Sequence, residues 1–128
     1  MTLVCDASAL LALLLGEPGA DRMAELLGEA QAVIGAVNAC EVSSKLAERG
    51  MDEASILATW AALPIDIAPL SAEQAHRAAL LRPVTRHLGL SLGDRACLAL
   101  AQHTQDATVV TADPAWQAIK GFRFTFIR

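Results

Sequence analysis

Short runs of consecutive apolar residues alternate along this chain with longer stretches of helical spacing. Leu3-Val4-Cys5 is an apolar run stopped by Asp6, and Ala7 to Leu15 reads as an apolar helix broken at Gly16-Glu17-Pro18-Gly19. A second helix is expected from about Asp21 to Glu29, and Ala32-Val33-Ile34-Gly35 has the length and β-branched content of a buried strand. A third helix is expected from near Asn38 to a stop at Gly50, with Val42 and Leu46 on one side and Glu41/Lys45 and Lys45/Arg49 at helical spacing.

Asp52 to Leu63 reads as an amphipathic helix halted by Pro64, and Ile65 to Ala68 alternates as a short strand. Ser71 with Gln74 forms a capping-box start for a helix to about Leu81. Arg82 to Leu92 reads as a loop or frayed helix, and Gly93-Asp94 opens a strongly helical Arg95 to His103. Thr108 to Thr111 reads as a buried strand, Asp113-Pro114 as a helix start, and Phe122 to Ile127 as a terminal strand. The alternation of strands with helices predicts an α/β fold with a parallel sheet of about five strands covered on both faces, residues 1–128 forming one domain.

Composition narrows the chemistry. Of 128 residues, 54% are hydrophobic and only 4% aromatic, so the core must come from small and straight aliphatic side chains. Ten Lys and Arg against fourteen Asp and Glu argue against a large nonspecific nucleic-acid surface, although a local basic patch remains possible. Cys5, Cys40 and Cys97 form no CxxC pair and sit among apolar neighbours, which predicts buried, reduced thiols and a cytoplasmic setting. The N-terminus lacks the basic start of a signal peptide and no apolar run reaches membrane-span length, so neither export nor insertion is expected. The first strand is followed by Asp6-Ala7-Ser8-Ala9, with no glycine-rich phosphate loop.

Four acids remain as candidates. Asp6 follows the first strand and Asp113 stands two residues beyond Thr111, so parallel strands would deliver both to the carboxyl edge where open α/β sheets place ligands. Glu41 and Asp94, at helix starts that follow the strands, would arrive at that edge too. Each also has a structural explanation: Asp6 and Asp113 as N-caps, Glu41 in an Asn38-x-x-Glu41 capping pattern, Asp94 as a favourable charge in a first turn. If all four converge within about 5 Å, each pair repels by roughly 3 kcal/mol at an effective dielectric near 20. Such a cluster needs a cation or must take up protons. An all-oxygen donor set suits Mg²⁺ or Mn²⁺ and points to metal-assisted phosphoryl chemistry.

Around these acids, Ser8 and Thr111 are candidates to hydrogen-bond a carboxylate, or else to satisfy local backbone. Asn38 either orients Glu41 or caps, and Arg95, with Arg82, Arg86 and His87, belongs to the one stretch of net positive charge where a phosphate could rest. His76, His87 and His103 show no metal-ligand spacing and receive no role. Trp60 and Trp116 read as packing residues.

Four blocks carry a resemblance: Leu3-Val4-Cys5-Asp6-Ala7-Ser8-Ala9-Leu10, Asn38-Ala39-Cys40-Glu41-Val42, Leu90-Ser91-Leu92-Gly93-Asp94-Arg95-Ala96-Cys97-Leu98, and Val110-Thr111-Ala112-Asp113 followed by Trp116. In order and spacing the chain resembles the PIN-domain ribonucleases, specifically the VapC-like toxins of bacterial type II toxin-antitoxin modules. The resemblance implies a three-layer sandwich, hydrolysis of RNA phosphodiesters to 5′-phosphate and 3′-hydroxyl ends, and an Mg²⁺ or Mn²⁺ site. It also implies homodimerisation and inhibition by an antitoxin. By position it maps the metal-holding, catalytic acids onto Asp6, Glu41, Asp94 and Asp113, with Thr111 as accompanying hydroxyl. Two alternatives stand beside it: a haloacid-dehalogenase-like phosphohydrolase, whose D-x-D would need an acid where Ser8 stands, and a non-enzymatic α/β binding module whose acids only cap helices.

Overall fold

In the computed structural model, which describes residues 1–128, the chain runs through β1 (Thr2–Cys5), α1 (Ala7–Leu15), α2 (Ala20–Glu29), β2 (Gln31–Gly35), α3 (Ala36–Glu48), α4 (Glu53–Ala62) and β3 (Asp66–Ala68). It continues through α5 (Ala72–Val84), a 3₁₀ turn at Arg86–Leu88, α6 (Leu92–Gln102), β4 (Ala107–Thr111), a 3₁₀ turn at Pro114–Ala118 and β5 (Phe124–Phe126). All strand pairings are parallel, in the order β3-β2-β1-β4-β5. The chain steps outward from central β1 to β3, then returns to lay β4 on the other side. The strand order therefore reverses between β1 and β4, where such sheets leave a crevice at their carboxyl ends.

Period-two alternation divides the core into two layers. Leu3, Cys5, Ala32, Ile34 and Val110 face the side packed by residues of α1, α2 and α3, while Val4 and Val109 face Leu90, Trp116 and α6. Both faces of β1 are sealed, which explains why it reads as an unbroken apolar run. The outer strands are thinner. No residue of β3 or β5 is fully buried, and Ile67 is 47% exposed.

Several element ends differ from the sequence reading. β2 runs directly into α3, which starts at Ala36 with Gly35 as N-cap, so Asn38 lies inside the first turn and does not cap. Helix α5 passes through Pro83, because a proline near the C-terminal end removes one N–H while Thr85 bonds back to the Leu81 carbonyl through both its N–H (3.0 Å) and its hydroxyl (2.6 Å). Helix α6 begins at Leu92, not beyond Gly93-Asp94, and the segment after Asp113 winds as a five-residue 3₁₀ turn. Helix α4 contains no fully buried residue but is one-sided as expected: Ile56 and Trp60, with Leu63 at its end, pack half-buried against the core while Leu57 faces outward, and Trp60 Nε1 donates to Ser43 Oγ of α3 at 2.8 Å.

Cys5 and Cys97 are buried free thiols in opposite layers of the core, but Cys40 is exposed. Asn38, Ala39, Val42 and Leu46 take the inward side of α3 and leave Cys40 outside. No helix is long and apolar enough to cross a membrane.

Candidate active site

Asp6 is the residue just beyond β1, and its N–H still donates to the Val110 carbonyl at 2.9 Å. It occupies the N-cap position of α1 without capping it, and only 5% of the residue is exposed. Two hydroxyls converge on its Oδ2: Ser8 Oγ donates at 2.6 Å and Thr111 Oγ1 at 3.0 Å. Each hydroxyl has one proton, so with both aimed at Asp6 the 3.2 Å approach of the two hydroxyl oxygens adds no further bond. Their lone pairs accept instead, Ser8 from the Ala112 N–H at 3.0 Å and Thr111 from the Asp113 N–H at 3.1 Å. The chain leaving β4 is thereby sewn to the carboxylate leaving β1. Burial pushes the Asp6 carboxyl above its ordinary range, the Ser8 and Thr111 bonds pull it down, and the charge of Asp94 pushes it up again.

The second half of the site joins α3 to α6. Asn38, fully buried, donates its amide hydrogens to Glu41 Oε1 at 2.9 Å and to the Gly93 carbonyl at 3.0 Å. Both partners only accept, so chemistry fixes which way the amide points. The consequence is that Asn38 Oδ1 stays buried without a partner, an arrangement that costs roughly 1–3 kcal/mol. Gly93 leaves room for the Glu41 carboxylate against α6, since a Cβ there would collide with it. Burial pushes the Glu41 carboxyl up, the Asn38 bond opposes it, and the charges of Asp6 and then Asp94 raise it further.

Asp94 forms a reciprocal capping box with Ser91, accepting from the Ser91 N–H at 2.9 Å while Ser91 Oγ accepts from the Asp94 N–H at 3.1 Å. Asp113 is exposed, and its Oδ1 caps its own 3₁₀ turn by accepting from the Ala115 N–H at 3.0 Å. Arg95, expected as a phosphate contact, donates Nη1 to the Ala78 carbonyl at 2.9 Å and ties α6 to α5.

The charge of Asp94 on α6 thus acts on both Asp6 and Glu41, and that of Asp6 on Glu41, whereas Asp113 is not among the charges that raise either. As the side chains stand, no three acids, histidines or cysteines are gathered at metal-ligand spacing, which corrects the expectation of four assembled carboxylates. The reason is local: Asp94 and Asp113 are turned back onto backbone N–H groups. Sequence reasoning also missed two supporting residues. Ser91 is signalled by the spacing Ser91-x-x-Asp94, and Gly93 by its place in a helix's first turn, where glycine costs about 1 kcal/mol relative to alanine unless close packing demands it.

Comparisons with known proteins agree with this geometry. The family profile of the PIN domain matches residues 3–121. No curated protein matches the chain significantly. Among solved structures, a chain of a toxin-antitoxin complex from Klebsiella pneumoniae is similar at a TM-score of 0.75 and 23% identity, covering 100% of this chain and 98% of that one. A chain of VapBC2 from Rickettsia felis, bound to a promoter DNA fragment, gives 0.69 and 19%, with 98% of each chain covered. A chain of VapBC-1 from nontypeable Haemophilus influenzae gives 0.71 and 17%, covering 99% and 98%. At these identities the structures establish the shared fold, and the profile, spanning nearly the whole chain, establishes that it belongs to the PIN-domain family, a family of nucleases.

Proposed function

We propose that this PIN domain is the VapC-like toxin of a type II toxin-antitoxin pair and hydrolyses RNA phosphodiesters with Mg²⁺ or Mn²⁺. The observation that carries the reading is the meeting of Asp6, Glu41 and Asp94 in one electrostatic neighbourhood at the carboxyl edge of the sheet, with Asp6 buried and pinned by two hydroxyls. These residues fit a hard divalent ion: the donor set is all oxygen, and beyond the upward push of burial, the charge of Asp94 on Asp6 and of Asp6 and Asp94 on Glu41 is what a cation would relieve. Asp6, Glu41 and Asp94 would hold it, with Asp113 at the rim as the outermost acid. When bound, such an ion supplies charge for the scissile phosphate and makes water a better nucleophile at neutral pH.

The chain's own residues do the rest. Ser8 and Thr111 fix the Asp6 carboxylate, and Asn38 holds Glu41 while leaving the exposed side of that carboxyl open to solvent. Held by Asn38 on one side and exposed on the other, Glu41 is placed to accept a proton from an attacking water. The similarity to chains of VapBC complexes supports an antitoxin partner. The lack of any buried residue in α4, with Leu57 61% exposed, supports self-association through that helix, and the reduced thiols suit a cytoplasmic setting.

The test is cleavage of a structured RNA by the purified protein with Mn²⁺. Expected are fragments with 5′-phosphate and 3′-hydroxyl ends, and activity that stops with EDTA and in Asp6→Asn. Cleavage that survives EDTA, 2′,3′-cyclic phosphate ends, or hydrolysis of an aryl phosphate in place of RNA would each defeat the reading. Sedimentation as a monomer at micromolar concentration would defeat the dimer.

A further inference from the structure

Charge is segregated along this acidic chain. Residues 74–93 and 114–128 hold six of its ten Lys and Arg and none of its fourteen Asp and Glu. The first stretch ends immediately before Asp94, and the second begins immediately after Asp113. In the fold these two stretches meet: a cavity of about 400 Å³ lies between them, with Leu81, Leu88, Ile119 and Phe122 as apolar wall and His87 and Lys120 as polar lining. Its volume is that of a small-ligand cleft. Lys120 and Arg86 are both exposed and neither is ion-paired, whereas Arg123 is bonded to Asp106 and Arg128 to the Pro18 carbonyl.

We propose that this cavity is a nucleotide-binding subsite for single-stranded RNA, holding a base beside Phe122 and an adjoining phosphate on Lys120, with Arg86 and His87 extending the basic surface. The inference rests on the nuclease reading above and adds a contact surface for the strand outside the acids. Three features favour RNA over an acidic peptide. The walls come from the two acid-free chain segments that lead into Asp94 and out of Asp113. A half-buried aromatic with an apolar surround offers a stacking face, which a nucleobase uses and a carboxylate does not. A chain with a net charge of −4 repels a polyanion everywhere except over such an acid-free surface, which would orient the strand before it reaches the acids.

The experiment uses the full chain carrying Asp6→Asn, a short fluorescent single-stranded RNA, and anisotropy across a salt series. Adding Lys120→Glu is expected to weaken binding roughly tenfold at low salt, and to reduce the slope of log affinity against log salt by roughly 0.7, the value for one lost single-strand phosphate contact. Adding Phe122→Leu is expected to weaken binding while leaving that slope unchanged, because stacking releases no counterions. With Asp6 restored, the Lys120→Glu loss is expected in KM rather than kcat. Lys120 is exposed, so its variant should keep the parent melting temperature.

An unchanged affinity and slope in Lys120→Glu would overturn the subsite, as would an equal Lys120-dependent affinity for a polyglutamate peptide. The two readings fail separately. RNA binding that depends on Lys120 without metal-dependent cleavage removes the nuclease and keeps the subsite, and cleavage with a Lys120-independent KM does the reverse. Absence of any RNA binding removes both.

Discussion

Asp6 and Asp113 are near twins in sequence: each follows a strand, each precedes a helical segment, and their strands, β1 and β4, are neighbours in the sheet. The structure separates them. Asp6 is still within hydrogen-bonding reach of β4, is buried, and leaves its helix uncapped because Ser8 and Thr111 claim its carboxylate. Asp113 stands two residues past the end of its strand, is exposed, and spends its carboxylate on the Ala115 N–H. A capping position is therefore not a capping role. What decides is whether other side chains reach the carboxylate first, and at Asp6 the partner hydroxyl comes from 105 residues away.

The largest expected effect is at Asp6. Asp6→Asn keeps an oxygen for both hydroxyls but removes the charge, so RNA cleavage should fall to background. Stability should move the other way. The folded carboxyl is raised above its ordinary value, so the native state holds its proton more tightly than the unfolded chain does. Stability is thus fully present below the unfolded value near 3.8 and declines as pH rises through the folded one. At neutral pH and without metal, Asp6→Asn should therefore melt a few degrees above the parent, and the gap should close as pH falls below about 4. A melting temperature several degrees lower would return Asp6 to the status of Asp113.

Gly93→Ala comes next. Elsewhere in a helix that change stabilises by about 1 kcal/mol. Here the new methyl group would meet the Glu41 carboxylate, the far end of a flexible side chain, and push it off the Asn38 amide. The expected outcome is a loss of cleavage of roughly a hundredfold, the scale of about 1 Å of misplacement at a reacting centre. A fully active Gly93→Ala would show that the bare backbone at Gly93 does not position Glu41.

The difference between the two halves of the site also marks what was readable beforehand. The strand order's ingredients were legible because β1, β2 and β4 are short apolar runs bounded by polar or glycine residues, and local hydrophobicity alone fixes such strands. The acids were legible as candidates because parallel strands must deliver their ends to one edge. Side-chain direction was not, because it depends on contacts across the fold. Asn38 has the spacing of a cap, yet β2 runs straight into α3 and puts it inside the first turn, and the bond from Arg95 to the Ala78 carbonyl depends on where α5 packs. The exposed Cys40 was missed for a related reason, since a helix sharing its inward face among Asn38, Ala39, Val42 and Leu46 has no room for another.

Thr111→Val tests the stitching between the twins. It keeps the shape and removes the hydroxyl that donates to Asp6 and accepts from the Asp113 N–H. Both groups lose a partner, Asp6 while buried, so unfolding free energy should fall by roughly 1–3 kcal/mol. Cleavage should fall roughly tenfold, as for residues that orient a metal ligand. If the loss is confined to stability, Thr111 supports the fold and not the carboxylate.

The smallest expected effect is at Asp113, and two substitutions there separate charge from capping. Asparagine still accepts from the Ala115 N–H, so Asp113→Asn should keep the parent melting temperature, whereas Asp113→Ala should lose about 1 kcal/mol of stability with the cap. If Asp113 serves the site only from the rim, Asp113→Asn should lower RNA cleavage measurably but least among the four acids, with the deficit shrinking as Mn²⁺ is raised toward saturation. Cleavage equal to the parent's at limiting Mn²⁺ would strike Asp113 from the site and leave it a cap. A loss as deep as that of Asp6→Asn would mean that an exposed carboxylate bound to its own backbone leaves that bond for the ion, and that burial does not rank these two acids after all.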